Sequence, residues 1–294
     1  MLPDTQYYAC AYPEIFDAQT EWIAAQVRAR GIAVVLHTGD IVDQANSQAQ
    51  WQVAFDSLRR LDGVVPYMLT TGNHDIASDR SSLISEYVSP QANLCHGNEW
   101  DFFHATPPAN SFMVVEVGRA QWLFVGLEYA PRDVVVDWAG HVLDEHAELP
   151  ALVFTHAYLY NDGTRYDRSI KPLQPFHPDS STLDLADGVN DGEDLWRKLI
   201  EPHENVKMVL SGHVIPDGTA RSIARRSSGT FVHQVLANYQ MCNMCPCAEV
   251  QGGGGYLRTL ELDPLGRRIH VSTYSPFLDA SLKDDENDFT LDLD

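Results

Sequence analysis

Cationic side chains are scarce in this sequence. Twenty lysines and arginines stand against 41 aspartates and glutamates, a formal charge of −21 over 294 residues. A field of that sign repels the phosphate backbone of nucleic acid and anionic lipid surfaces, so stable binding to either is not expected without a local positive feature such as a bound divalent cation. Long apolar runs are also missing. No stretch approaches the ~18 residues that cross a bilayer, and no basic, hydrophobic leader opens the sequence as it stands. No internal repeat is present, and five cysteines are few. Cys10 and Cys95 stand alone in the sequence, while Cys242, Cys245 and Cys247 crowd into QMCNMCPCAEV. That C-x2-C-x-C spacing reads as one disulfide plus spare thiols on a loop, or as part of a zinc or redox site with a further ligand from elsewhere. An odd count leaves at least one thiol unpaired within the monomer.

What is there is alternation. IFDAQTEWIAAQVRARG carries Ile15, Trp22, Ile23 and Val27 at helical spacing and stops at Gly31, a natural C-terminal cap; IAVVLH then reads as a buried strand. The same reading predicts helices over 46–60, near 80–87 and over 132–147. It predicts strands over 64–70, 151–155 and 206–211, and a hairpin of SFMVVEVG with QWLFVGLE. From there the chain turns β-rich, with TFVHQVLANYQ, GYLRTLELD and RIHVSTYS as strands and 289–293 as an edge strand or a solvated acidic tail. Alternating helices and strands imply a layered α/β fold, and 294 residues fit one domain over 1–294.

Polar ligand-type residues sit where four of these strands stop. VVLHTGDIVD ends at Gly39-Asp40, YMLTTGNHD at Gly72-Asn73-His74-Asp75, ALVFTHAYL at His156 and MVLSGHV at Gly212-His213. In α/β sheets, ligands bind in the crevice beyond the carboxyl ends of strands. Taken singly, an aspartate there is usually a turn or helix cap, and a histidine a hydrogen-bonded core or surface residue. Taken together, Asp40, Asn73, His156 and His213 form an O,O,N,N set suited to zinc, manganese, iron or nickel.

Together, PDTQ at 3–6, GDIVD at 39–43, GNHD at 72–75, the histidine of FTHAY at 156 and GHV at 212–214 resemble the calcineurin-like metallophosphoesterases, in the order that family uses. ANYQ, GGGGYLR and TYSP are similar to the branch whose first motif reads LPDTQ. The resemblance implies a four-layer α/β/β/α sandwich, a two-metal site and hydrolysis of a small phosphate ester, mono- or diester. It makes Asp40 the carboxylate shared by both metals, with Asn73, His156 and His213 completing one site and Asp4 and Gln6 serving the other. Fuller family members have histidine at the positions of Gln6 and Ile215. The first site is therefore expected to be oxygen-rich and weak, suited to manganese, magnesium or calcium, with Asp217 a candidate substitute ligand.

In the implied mechanism a hydroxide held by the metals attacks phosphorus in line. His74 donates a proton to the leaving oxygen, and Asp75 orients its ring; Asp43 reads as a supporting residue. Residues 158–192 form a long irregular stretch expected to wall the pocket, and its Arg165, Arg168 and Lys171 are candidates for contacting substrate phosphate. The competing reading is a non-catalytic metal-binding protein that kept the second site for structure or recognition. His74, which is not a ligand in the family pattern, favours chemistry. Only Met-Leu-Pro precedes Asp4, where a full strand is expected. A shortened strand, or a native beginning further upstream, would account for this. With the cysteine cluster and the acidity, the second option tilts the expectation toward an exported protein.

Overall fold

Local signals place the first elements. In the computed structural model, Pro13 starts one helix and Gly31, at φ 65, ends it with its amide on the Val27 carbonyl, as a glycine cap does. The structure describes residues 1–88, 98–103, 109–178, 183, 188–216, 218–240, 251–263 and 266–293. In chain order these form α1 (Gln6–Ala11), α2 (Pro13–Arg30), β1 (Val35–His37), α3 (Gln48–Leu58), β2 (Tyr67–Leu69) and a single-turn α4 (Ile84–Tyr87). Then come β3 (Glu99–Phe102), β4 (Ser111–Val117), β5 (Ala120–Leu127), α5 (Asp133–Glu145), β6 (Ala151–Thr155) and α6 (Gly192–Leu195), which runs on as a π turn. The remainder is β7 (Val206–Ser211), β8 (Gly218–Arg225), β9 (Phe231–Asn238), β10 (Leu257–Leu262), β11 (Arg268–Ser275), β12 (Ala280–Leu282) and β13 (Asp288–Asp292).

Seven strands form one sheet in the order β3-β4-β5-β6-β7-β9-β8, and β10 to β13 form a second, antiparallel one. The parallel pair β1–β2 joins the second sheet through the first residues of the chain. Leu2 donates its amide to Leu36 at 2.7 Å, and the Met1 ammonium donates to the Arg258 carbonyl at 2.7 Å. The strand expected before Asp4 is thus one bridge, Leu2 to His37.

Three buried apolar clusters fill three interlayer spaces. Along β6, Ala151 and Val153 face α5 and α6, whereas Leu152 and Phe154 face the opposing sheet. Along β2, Tyr67 and Leu69 face α2 and α3 while Met68 meets Leu152's cluster. This period-two division in both sheets gives the α/β/β/α order of layers. Burying one such aliphatic side chain contributes about 1.5–3 kcal/mol, so the two-sided strands anchor the whole edge on which the polar residues stand.

Several predicted elements shorten. Helix 80–87 is one turn over Ile84–Tyr87, and the 32–37 strand begins only at Val35. β8 was not anticipated: GTARSIAR is an edge strand with little apolar content. Cys10, isolated in the sequence, is disulfide-bonded; the other four cysteines, Cys95, Cys242, Cys245 and Cys247, lie outside the described residues, as does Asp217.

Candidate metal centre

β1 and β2 run parallel, as do β5, β6 and β7, so Asp40, Asn73, His156 and His213 emerge on common edges. Glycine lets the loops meet. A Cβ on Gly72 would sit 2.1 Å from Asp40 Oδ1, and one on Gly212 would sit 2.5 Å from Asp4 Oδ1. Asp40 and His213 themselves adopt φ 51 and φ 78, a left-handed backbone that L-residues reach only where surroundings enforce it.

The four residues converge. His156 Nε2 lies 3.3 Å from Asp40 Oδ2, 3.1 Å from Asn73 Oδ1 and 3.1 Å from His213 Nδ1. The other nitrogen of each ring faces a carbonyl: His156 Nδ1 is 2.9 Å from Thr38 O, and His213 Nε2 is 2.8 Å from Phe176 O. Carbonyls only accept, so those nitrogens carry hydrogen in the neutral rings. The facing nitrogens then present lone pairs to each other and to two oxygens. Such an arrangement needs a cation, and ligand atoms of Asp40, His156 and His213 all lie within 4.8 Å of one another. Without a metal a proton takes that role. Burial alone would lower His156, but the Asp40 and Asp4 carboxylates outweigh it and push the ring up to about 9. Burial and the neighbouring His156 push His213 down to about 3. The donor set and its carbonyl-oriented imidazoles fit a divalent ion.

The residues expected at the weaker site stand beside this cluster. Asp4 is buried, accepts Asn238 Nδ2 at 2.7 Å and the His213 amide at 3.3 Å, and is pushed up to about 7 by burial, with Asp40 adding to the rise. Gln6 opens α1 and is 1% exposed; among the described residues neither of its amide atoms makes a hydrogen bond of good geometry, although the Tyr7 phenol lies beside it. A buried amide left so costs about 1–3 kcal/mol per group, and an ion on its oxygen would relieve part of that. Ile215 supplies no ligand atom. Asn238 was missed, although it ends β9, the parallel neighbour of β7, and the strand-end rule applied to the other strands points to it. Tyr7 was also missed; burial and the Asp43 charge push its phenol up to about 12, with Gln6 and Gln240 beside it.

His74 and Asp75 separate into two different roles. The His74 ring, 38% exposed, places Nδ1 2.9 Å from the Asp43 carbonyl and 3.5 Å from its carboxylate, leaving Nε2 as the outward atom. Its backbone amide donates to Asp40 Oδ1 at 2.9 Å. Burial would lower the ring's pKa, but Asp40 and Asp43 hold it above the ordinary value. Asp75, expected to orient that ring, does not hydrogen-bond to it. Its Oδ1 accepts the Ile41 and Val42 amides at 2.9 Å each and its Oδ2 the Gly72 amide at 2.8 Å. A carboxylate holding three amides ties the Asp40 loop to the Asn73 loop, and Asp43 is the orienting residue.

Residues 3–217 match the family model of the calcineurin-like phosphoesterases. The chain belongs to that family. It is 30% identical over 324 residues to the uncharacterized protein YvnB of Bacillus subtilis (strain 168), an alignment covering 100% of this chain and 21% of the relative. The chain therefore spans about a fifth of that relative's length. Among solved structures it is similar to purple acid phosphatase PPD1 from yellow lupin (Lupinus luteus) seeds, with a TM-score of 0.52 at 14% identity over 94% of this chain and 49% of that one. At that identity the likeness concerns the fold, a metallophosphoesterase sandwich. Family membership supports metal-dependent hydrolysis of phosphoesters in general.

The long loop of this family member does reach the cluster, through the Phe176 carbonyl on His213 and the Tyr166 ring 5.9 Å from it. Its two arginines, candidates for substrate phosphate, already have acidic partners. Arg165 donates to Glu193 at 2.7 Å and stacks on Trp196 at 4.7 Å. Arg168 pairs with Asp194 and, at 3.5 Å, with Asp191. Both guanidiniums are held by carboxylates of α6 and its cap. Among the described residues, no helix is long and apolar enough to cross a membrane.

Proposed function

We propose that this chain hydrolyses small phosphate esters with two divalent ions held unequally. Asp40, Asn73, His156 and His213 would hold the tight ion, and Asp4, Asp40 and the Gln6 oxygen would hold the loose one. The observation that carries the reading is the convergence of two imidazole lone pairs with the Asp40 and Asn73 oxygens, each ring aimed by a backbone carbonyl. When bound, the ions supply Lewis acidity toward the phosphoryl oxygens and the attacking water. The chain's own residues do the rest. His74 delivers a proton from Nε2 to the leaving oxygen, and Asp43 fixes which nitrogen faces outward by accepting from Nδ1. Asn238 and the His213 amide hold the Asp4 carboxylate in place. The non-catalytic reading has less support, because a purely structural ion has no use for a half-exposed imidazole oriented this way. The disulfide at Cys10 supports placing the protein in an oxidising, exported setting.

The test combines metal analysis with turnover. Purified protein dialysed against a mild chelator should keep about one ion, and added manganese should raise hydrolysis of chromogenic phosphate mono- and diesters. His156→Ala should lose the retained ion and the activity together. Two ions surviving dialysis would refute the unequal sites. Full metal content and activity in His156→Ala would refute the ligand assignment.

A further inference from the structure

The loop over the metal cluster inverts the usual sorting of side chains. Gln174 and His177 are each 1% exposed, whereas Ile170, Leu173 and Phe176 are exposed at 36%, 74% and 52%. Water drives the opposite arrangement, and isolated exposed apolar residues are ordinary while clustered ones are not. Three of the eight large apolar side chains exposed among the described residues fall within positions 170–176, a concentration along one short stretch of chain.

The inversion is enforced from beneath. Gln174 accepts the Asp167 amide at 2.9 Å and donates to the Arg165 carbonyl at 2.8 Å and the Thr164 hydroxyl at 3.0 Å. His177 packs edge-on to Tyr166 at 5.4 Å and stands 3.5 Å from Asp191, and the Tyr166 hydroxyl donates to the Pro175 carbonyl at 3.3 Å. Polar anchors pointing inward leave the apolar side chains facing out. Phe176 has φ 62, a left-handed backbone that bulky residues avoid. That turn sets its carbonyl on His213 Nε2 at 2.8 Å and its ring edge-on to the His213 ring at 6.5 Å. Phe176 thus joins this exposed row to the His213 side of the metal cluster.

We infer that Ile170, Leu173 and Phe176 form an apolar subsite for the alcohol arm of the substrate, favouring phosphoesters with a long alkyl or aryl arm over those with a short one. The inference rests on the hydrolase reading above. Arg165 and Arg168 are engaged by Glu193, Asp191 and Asp194, whereas Lys171 lies between Ile170 and Leu173 in the chain, so the preference concerns the apolar length of the arm and not its charge.

The test is a chain-length series: methyl, butyl and octyl phosphate below their micelle concentrations, and the p-nitrophenyl diesters of the same three alcohols, with manganese-loaded full chain. A methylene that leaves water is worth up to about fourfold in kcat/KM, so the octyl-to-methyl ratio should be about tenfold or more. Leu173→Ser and Phe176→Ser should each lower that ratio, and the double variant should bring it near one. A ratio does not depend on the fraction of active protein, so partial misfolding does not imitate the result. A flat series with measurable hydrolysis would overturn the subsite alone, as would a steep series that the double variant leaves unchanged. No hydrolysis of any ester by metal-loaded protein would overturn the hydrolase reading and the subsite with it.

Discussion

Replacing Asp75 by asparagine separates a structural clamp from a catalytic partner. In the native chain one carboxylate oxygen takes two amides from the Asp40 loop and the other takes the Gly72 amide, all at 2.8–2.9 Å. Asparagine keeps one acceptor oxygen. If it faces Ile41 and Val42, the side-chain NH₂ is driven against the Gly72 N–H, and a bond becomes a donor–donor contact. Losing a charge-assisted hydrogen bond costs about 1.5–3 kcal/mol. Removing the charge weakens the remaining two but also relieves the cost of holding it buried beside Asp40, which pushes the Asp75 carboxyl up to about 7, so the net loss stays at roughly 1.5–3 kcal/mol. For a chain of this length that lowers Tm by roughly 3–6 °C. Thermal unfolding should be followed by circular dichroism with a chelator present, so that lost metal affinity does not add to the shift, and turnover should be measured separately with metal. Asp43→Asn is the contrast: it should lower kcat and leave Tm within about 2 °C. If Asp75→Asn keeps its Tm but loses turnover, the clamp is wrong and Asp75 acts on the chemistry.

His74→Ala should keep metal content and folding while turnover falls by ~10²- to 10⁴-fold, and the fall should shrink for esters whose leaving group is already a stable anion; an equal loss for all esters would refute proton donation. Gly72→Ala puts a Cβ 2.1 Å from Asp40 Oδ1, so it should lose the tight ion by metal analysis; a variant with full metal content would show that the Asp40 loop yields. Asp191 anchors the apolar loop, and although burial alone would raise its pKa, His177 and the Asp194 and Arg168 amides outweigh that and lower it to about 2. A depressed carboxylate stabilises the fold above its unfolded pKa of 3.8 and loses that contribution as pH falls toward 2. Asp191→Ala should therefore cost about 2 kcal/mol in denaturant unfolding at pH 7 and much less near pH 2; a pH-independent difference would refute the linkage.

Much of this molecule is written in local pattern. The apolar period of α2 with its Gly31 cap, and the strand at Ala151–Thr155, follow from residues within a few positions of one another, because backbone preference and side-chain period are short-range properties. The strand-end motifs were legible for a related reason: where a buried strand stops at a sheet edge, whatever polar residue follows must face the crevice. That alone placed Asp40, Asn73, His156 and His213 together, and it would have placed Asn238 had it been applied to β9.

Tertiary structure decided what sequence spacing cannot express. Asp75 neighbours His74 in the chain, yet its carboxylate turns toward amides 33 and 34 residues away, because burial demands donors and only those loops provide them. Arg165 and Arg168 looked available for phosphate and are engaged by Glu193, Asp191 and Asp194, whose approach depends on how the loop folds back on α6. Each histidine's protonated nitrogen is set by a carbonyl remote in sequence, Thr38 for His156 and Phe176 for His213. Residue types at strand ends determined that a cation could be held; contacts across 118 and 37 residues determined which ring nitrogens are turned toward it.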